Sequence, residues 1–496
     1  MGGPSKSEPM TRPAELALGG EKPYPASGTT APNYMKPRNE LWGQIKNLSW
    51  TNNLLRNTKG WRDCLIEITL DGANLVYREK KSCFALVVLT PKNEKDLDAV
   101  VKLSQLEDFE VFKRSYGVND SLDVLVPPHR RQLVLDLADS LQLNYTVKAE
   151  NYKLIPDRQP RRRVFNGFNV FGYNSYSGIQ DFIQGLAKKH SHLVTVEPAG
   201  TSYQGRVLNL VKISKSPQGN NPAIFVDAGI HAREWVAPAM ALYLTHRLVL
   251  GADKAEELNG VDWYIMPLVN PDGYEFSRSS PANRLWRKTR SRSGLLNCYG
   301  VDGNRNYGFK WGASGTSSDP CNAETYAGPR PFSEPETAAV KNVMEKYSRR
   351  IKLYVSLHAY GQYLVYPWGY TGEFLPQGWE RLDRLARKVS SAVVRAGGEP
   401  FKATSAGRWY AAAGGSDDYA FGAVGIPYSY TMELTRNYEF NFPERLLASV
   451  LPRYYEGFKA FAAQIKKEFG AKRYGKGVDV LGAGDDNNFN DTKQVI

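Results

Sequence analysis

Cysteine and histidine are scarce in this chain: its 496 residues hold 4 cysteines and 6 histidines. Four cysteines are too few for a disulfide scaffold, and the absence of any CxxC pair excludes the common zinc-knuckle and thioredoxin-like motifs. Long hydrophobic runs are missing too. None nears the roughly 18 residues of a membrane-spanning helix, so no membrane partner is expected. Residues 1–60, rich in Pro, Gly, Ser, Lys and Asn, contain no apolar segment that reads as a signal peptide. There is also no internal repeat, basic helix or RNA-binding signature. The net charge of +13 is spread over scattered Lys and Arg, with one cluster at Arg161, Arg162 and Arg163. It reads as solubility charge rather than a nucleic-acid footprint.

What is present fits a globular chain with two ordered domains and loose ends. Residues 1–82 read as a poorly ordered extension. Within it, CLIEITLDGANLVY carries a hairpin signal at Asp71-Gly72, flanked by Cys64 and Cys83, which could clip it shut. Residues 83–153 alternate strand and helix patterns. FALVVLT (84–90), FEVFKR (109–114), LDVLVPP (122–128) and YTVKA (145–149) read as strands. Helices are expected over 93–105, capped by Asn93, and over 129–141. The order β-α-β-β-α-β is that of a small α+β, ferredoxin-like (split βαβ) module. In residues 154–163, prolines and four arginines (Arg158, Arg161, Arg162, Arg163) mark an exposed linker that a trypsin-like protease would cut.

Residues 164–469 read as one large α/β unit, followed by a loose polar tail at 470–496. VLNLVKI (207–213) alternates like a half-buried strand. AIFVDAGI (223–230), WYIMPLV (263–269), LYVSLH (353–358) and YSYTMEL (428–434) are more continuous, as suits a sheet covered on both faces. Ser333 and Glu336 have the spacing of a capping box opening a helix to Arg349.

The stretch GIHAREWVAP (229–238) sets His231 three residues before Glu234. The spacing alone says little. With 51 acidic residues in 496, each of 6 histidines has about a one-in-ten chance of such a neighbour. Its place says more. It follows a buried strand and opens a helix, at the strand end where open α/β sheets bind ligands, and three residues on a helical turn would bring both side chains to one side. His358 ends the later strand LYVSLH and is the candidate third ligand. His129, His190, His192 and His246 lie elsewhere or on polar helix faces. Two histidines, one carboxylate and a water make an open catalytic zinc site.

Six motifs, HAREW (231–235), NRLWRKTR (283–290), VDGNRNY (301–307), SLHAY (356–360), YAAAGGSDD (410–418) and MEL (432–434), stand in the order found in the funnelin (M14A-type) zinc metallocarboxypeptidases. Over roughly 84–468 the chain resembles a pancreatic-type procarboxypeptidase zymogen of the carboxypeptidase B kind. The resemblance implies a mixed-sheet α/β/α catalytic domain behind an activation domain that covers the active site. It implies one zinc ion held by His231, Glu234 and His358, the ligand set known for zinc carboxypeptidases. By the same resemblance Glu433 is the general base. Arg287 polarises the scissile carbonyl, and Asn304 and Arg305 clamp the substrate's terminal carboxylate. Arg233 and Tyr360 line the approach, and Tyr410 closes over the bound terminus. Asp417, seventh after Tyr410, lies at the bottom of the side-chain pocket, where an acid suits Lys or Arg. Cys298 and Cys321 match the family's disulfide. The expected partners are peptides with a free C-terminus and an activating trypsin-like protease, the expected state a monomer, and the expected location extracellular. Two features depart from the family: no signal peptide is visible, and LTRNYEF follows Glu433 where many relatives have an Asp-containing loop.

Overall fold

The computed structural model describes residues 66–152 and 168–470, apart from short stretches within each. Residues 1–65, the linker at 154–163 and the tail from 471 lie outside the described residues, as do Cys64 and Cys83 and their expected pairing. The expected hairpin is present: β1 (Ile66–Asp71) and β2 (Asn74–Glu79) pair antiparallel, Asp71 opposite Asn74.

The small module has the predicted order. It comprises β3 (Phe84–Thr90), α1 (Glu94–Leu103), β4 (Glu110–Lys113), β5 (Leu122–Val126), α2 (Arg131–Ser140) and β6 (Asn144–Tyr152). The four strands form an antiparallel sheet in the order β4-β5-β3-β6. Asn93 caps α1 as expected, its Oδ1 accepting from Asp96 N at 2.9 Å. The continuous apolar runs of β3 and β5 have a physical reason, because both faces of this sheet are covered. Val87, Leu89, Leu122, Val124 and Val126 pack with Val100, Val134 and Ala138 from the helices. Strand side chains alternate faces, so Leu86 and Leu125, paired across β3 and β5, point the other way. They pack against Leu285 and Phe440 of the larger unit, beside Ala149 and Tyr360.

The larger unit is built on an eight-stranded mixed sheet. Its strands are β7 (Val194–Thr201), β8 (Val207–Ile213), β9 (Ala223–Ala228), β10 (Asp262–Met266), β11 (Ile351–Ala359), β12 (Tyr363–Tyr366), β13 (Lys402–Ser405) and β14 (Tyr428–Leu434), in the order β13-β12-β14-β11-β9-β10-β8-β7. The four central strands β14, β11, β9 and β10 run parallel, and they are the four that the sequence shows as near-continuous apolar runs. On one face pack α3 (Tyr176–Lys189), α4 (Val236–Leu250), α7 (Trp379–Arg395) and α8 (Leu447–Phe469). On the other, α6 (Pro335–Lys346) presents Ala339, Val340, Val343 and Met344 to Leu208, Leu210, Phe225 and Tyr354. A shorter helix, α5 (Pro271–Ser279), starts at the Asn270 cap. Among the described residues no helix is long and apolar enough to cross a membrane.

Three local expectations need correction. His231 and Glu234 stand in the turn before α4, not on a helical turn, since the helix opens only at Val236. Strand β8 is buried along Leu208–Val211 rather than half-buried, because β7 and β10 flank it and α6 covers it. The Ser333/Glu336 capping box does not form. Pro335 fixes the first helical position, so Glu334 becomes the cap residue and Glu336 arrives one place too early.

Glu336 instead turns inward. It is fully buried, its Oε1 accepts from Tyr203 N at 2.9 Å, and its Oε2 has no hydrogen-bond partner. Burial pushes its carboxyl from 4.5 up to about 8. An acid raised in the folded state binds its proton more tightly there, so its contribution to stability falls as pH climbs from about 4.5 to about 8. The substitution Glu336→Gln, which keeps the neutral form at all pH, is expected to raise unfolding stability at pH 8 by about 1–3 kcal/mol. The gain should shrink towards pH 5, as read by urea unfolding at both values.

Candidate active site

The site lies at the carboxyl ends of the central parallel strands. His358 and Glu433 are direct register partners on β11 and β14, and paired residues present their side chains on the same face. The turn after β9 brings His231 and Glu234 to the same edge. Their ligand atoms and those of His358 lie within 4.8 Å of one another, and all three residues are buried.

The geometry of this trio fits a metal ion. Nδ1 of His231 is 2.8 Å from Glu234 Oε1, Nδ1 of His358 is 3.0 Å from Glu234 Oε2, and the two Nδ1 atoms are 3.1 Å apart. Two imidazoles thus aim the same nitrogen at one carboxylate. Their outward nitrogens are engaged elsewhere. His231 Nε2 lies 2.9 Å from Asp302 Oδ1. His358 Nε2 lies 3.1 Å from Ser356 Oγ, which itself donates to Asp227 Oδ1 at 2.7 Å. With Ser356 donating onward, the His358 Nε2–H donates to Ser356 and leaves Nδ1 with a lone pair for a ligand. Outer partners of this kind fix ring orientation and tautomer at metal sites. Two nitrogens and one carboxylate suit zinc.

Charges around the trio are balanced by pairs. Burial alone would raise the Glu234 carboxyl, but His231 and His358 outweigh it and hold it below its ordinary value. Burial opposes protonation of His358, and Glu234 outweighs that, raising it to about 9. Asp302 is buried yet held well below the usual carboxylate range by Arg287, His231 and Arg305. Burial opposes the charge on Arg287, but Asp302, Glu324 and Glu234 push its pKa up. Its guanidinium meets Asp302 at 2.9 Å and lies 3.8 Å from Glu234. For Glu433, burial pushes the carboxyl up to about 8.

A cleft of about 560 Å³ opens here, lined by His231 and Glu234 of the trio and by the other expected catalytic and substrate-binding residues: Arg233, Arg287, Asn304, Arg305, Tyr360, Tyr410, Asp417 and Glu433. Arg305 is held by Gly315 O at 3.0 Å and Asn304 O at 2.8 Å. Asn304 Oδ1 accepts from Ser416 N, tying this loop to the segment carrying Asp417. Gly414 makes that approach possible: its φ is +72°, and a Cβ there would sit 2.3 Å from Arg305 O. The Cys298–Cys321 disulfide is formed and closes the loop around Asn304 and Arg305. Of the two adjacent acids, Asp418 is committed to Gly369 N (2.8 Å) and Tyr370 N (2.9 Å). Asp417 lines the cleft, 4% exposed, its carboxyl raised by burial.

Sequence reasoning missed several contributors. Asp302 stands inside VDGNRNY, where the resemblance assigns it no role, yet it touches both His231 and Arg287. Glu324 grips Arg233 through two contacts, 2.8 and 2.6 Å, while Phe440 covers the Arg233 guanidinium at 4.1 Å. Asp227 and Ser356 lie in the apolar strands β9 and β11, where a lone polar residue in a buried run was the available signal.

Because His358 carries a proton up to about pH 9 without the metal, binding must expel it. Zinc affinity of the metal-free protein is expected to rise by about tenfold per pH unit up to that value and level off above it, measured by competition with a chelating dye. An affinity independent of pH would contradict this electrostatic account.

Comparison with known proteins agrees with the geometry. The zinc carboxypeptidase family model matches residues 179–467, and the carboxypeptidase activation peptide model matches 87–159. Carboxypeptidase B of Astacus astacus is 41% identical over 302 residues, covering 60% of this chain and 98% of that protein. Carboxypeptidase A2 of Rattus norvegicus is 32% identical over 394 residues, 76% of this chain and 93% of that one. Among solved structures, thrombin activatable fibrinolysis inhibitor superposes with a TM-score of 0.72 at 27% identity, covering 78% of this chain and 100% of that one. A buried His-Glu-His trio at the strand ends and an activation module packed beside the cleft thus accompany sequence matches to both parts, and the chain belongs to the zinc carboxypeptidase family as a zymogen with an activation peptide.

Proposed function

We propose that the activated protein removes C-terminal Lys or Arg from peptides and proteins. The observation that carries this reading is Asp417: a buried carboxyl lines the cleft, while its neighbour Asp418 is already committed to backbone N–H groups. A cationic side-chain tip seated against Asp417 would hold that carboxyl ionised and leave neither charge unpaired. Arg305 and Asn304 would take the terminal carboxylate, which restricts the reaction to chain ends. Zinc held by His231, Glu234 and His358 supplies Lewis acidity towards the scissile carbonyl and towards water. Glu433, buried at the cleft and paired in register with His358, takes the proton of the attacking water and hands it to the leaving amine. Arg287, fixed by Asp302, steadies the developing oxyanion.

One observation favours a rival pocket. Exposed Lys402 and Arg408 also line the cleft and would oppose a basic side chain entering there, which suits a preference for neutral ends. The deciding test is a paired assay on peptides differing only in a terminal Arg or Phe, with and without a zinc chelator. Chelator-sensitive loss of Arg is expected, and Asp417→Asn should lower kcat/KM for the Arg peptide by about 10²-fold or more while sparing the Phe peptide. Faster cleavage of Phe by the wild type would overturn the pocket reading and keep the enzyme.

The linker at 154–163 is the proposed activation site. Leu86 and Leu125 pack on Phe440 and Tyr360, both of which line the cleft, and this supports inhibition by the attached module. Limited trypsin treatment should raise activity at least about tenfold, with the new N-terminus falling within residues 159–164. Full activity of the uncut chain would refute the proposal.

A further inference from the structure

The register of the sheet sets four side chains in one row. His358 on β11 pairs with Glu433 on β14, Glu433 with Tyr363 on β12, and Tyr363 with Lys402 on β13. Directly paired residues share a face, so Tyr363 stands beside Glu433 on the cleft side. The Tyr363 ring stacks on Trp409 with centroids 4.5 Å apart and planes 13° apart, while Lys402 Nζ lies 5.4 Å from its centroid. Trp409 ends a short helical turn (Ala406–Trp409) that follows β13 directly. The next residue is Tyr410, whose N–H donates to Ala406 O at 2.9 Å and whose ring meets the Trp409 ring at 4.5 Å and 62°. All three rings line the cleft.

We propose that the Tyr363–Trp409 stack is a positioning element for Tyr410, setting how tightly the C-terminal residue of the substrate is retained. This rests on the reading that Tyr410 closes over the bound terminus. Tyr363 is fixed by the ladder that also fixes Glu433 and His358, so the stack ties the resting place of Tyr410 to the rigid edge of the sheet. An aromatic side chain leaning on a fixed ring loses less rotamer freedom on binding than one free at the cleft mouth. The edge-on contact of Tyr410 with Trp409 is a favoured arrangement for an aromatic pair. The Lys402 ammonium near the Tyr363 ring adds a cation–π contact to the same post. Neither Tyr363 nor Trp409 is asked to touch the reacting atoms. Their influence belongs in substrate retention, not in proton transfer.

The test is a double-mutant cycle in the activated, zinc-loaded enzyme, using whichever of the Arg- or Phe-ended peptides the wild type cleaves faster. Trp409→Ala is expected to raise KM by about three- to tenfold with a smaller change in kcat. Trp409→Phe should restore most of the loss. Tyr363→Phe, which keeps the stacked ring, should match the wild type, and Tyr363→Ala should resemble Trp409→Ala. In a Tyr410→Ala background, Trp409→Ala should add nothing further. Additive effects of Trp409→Ala and Tyr410→Ala would overturn the inference and make Trp409 a direct substrate contact. So would equal loss of zinc content and melting temperature in every variant, which would mark a purely structural ring. If the wild type cleaves neither peptide, the functional reading fails instead. The same cycle is then read as the Kd of the intact peptide by titration calorimetry, with additivity again the refuting result.

Discussion

Glu234 lies between two histidine rings, buried at the floor of the cleft, and most of the surrounding architecture serves that arrangement. A buried carboxylate that attracts two imidazoles needs a cation, and it needs every other polar atom nearby to be satisfied. Asp302 answers His231 and is in turn held by Arg287. Ser356 answers His358 and is anchored on Asp227, which also accepts from Tyr354 at 2.6 Å. Three separate stretches of chain are therefore fixed by one charge: the turn after β9, the disulfide loop, and strand β11.

The sheet supplies the precision that loops alone would lack. Parallel pairing of β11 with β14 sets Glu433, the proposed base, one strand from His358, and a hydrogen-bonded ladder does not slip by one residue without moving an entire apolar face. Loops then bring further charged groups to the cleft. Arg305 is held by its own loop and by the flush approach of Gly414. Arg233 has less freedom than its place at the cleft suggests, because Glu324 grips it from one side and Phe440 covers it. Its guanidinium thus acts chiefly as a piece of cleft wall joining the turn before α4 to the loops at 324 and 440.

The activation module reaches the cleft by the simplest property of a β-strand. Alternate residues of β3 and β5 face opposite ways, and here both faces are apolar. One face builds the module's own core, while the other, through Leu86 and Leu125, packs on the rim residues Phe440 and Tyr360. Separation from the larger unit would expose the apolar surface of Leu86 and Leu125, a driving force for keeping the zymogen closed.

Much of this was legible in the chain itself. Period and run length gave the split βαβ order and the four central strands, because burial on two faces leaves an unmistakable apolar run. The His-x-x-Glu pair, His358, Glu433 and the Asp417 position came from motif order. Local expectations went wrong where one residue shifted a boundary, as Pro335 did for Glu336, or where a turn stood in for the first turn of a helix, as at His231. By itself the sequence determined which residue types are available and where strands end, since those follow from nearest neighbours and periodicity. Only the tertiary structure decided who meets whom: Asp302 with His231, Glu324 with Arg233, and Tyr363 with Trp409. Those partners are far apart along the chain, and what joins them is sheet register and loop closure, neither of which any short stretch of sequence encodes.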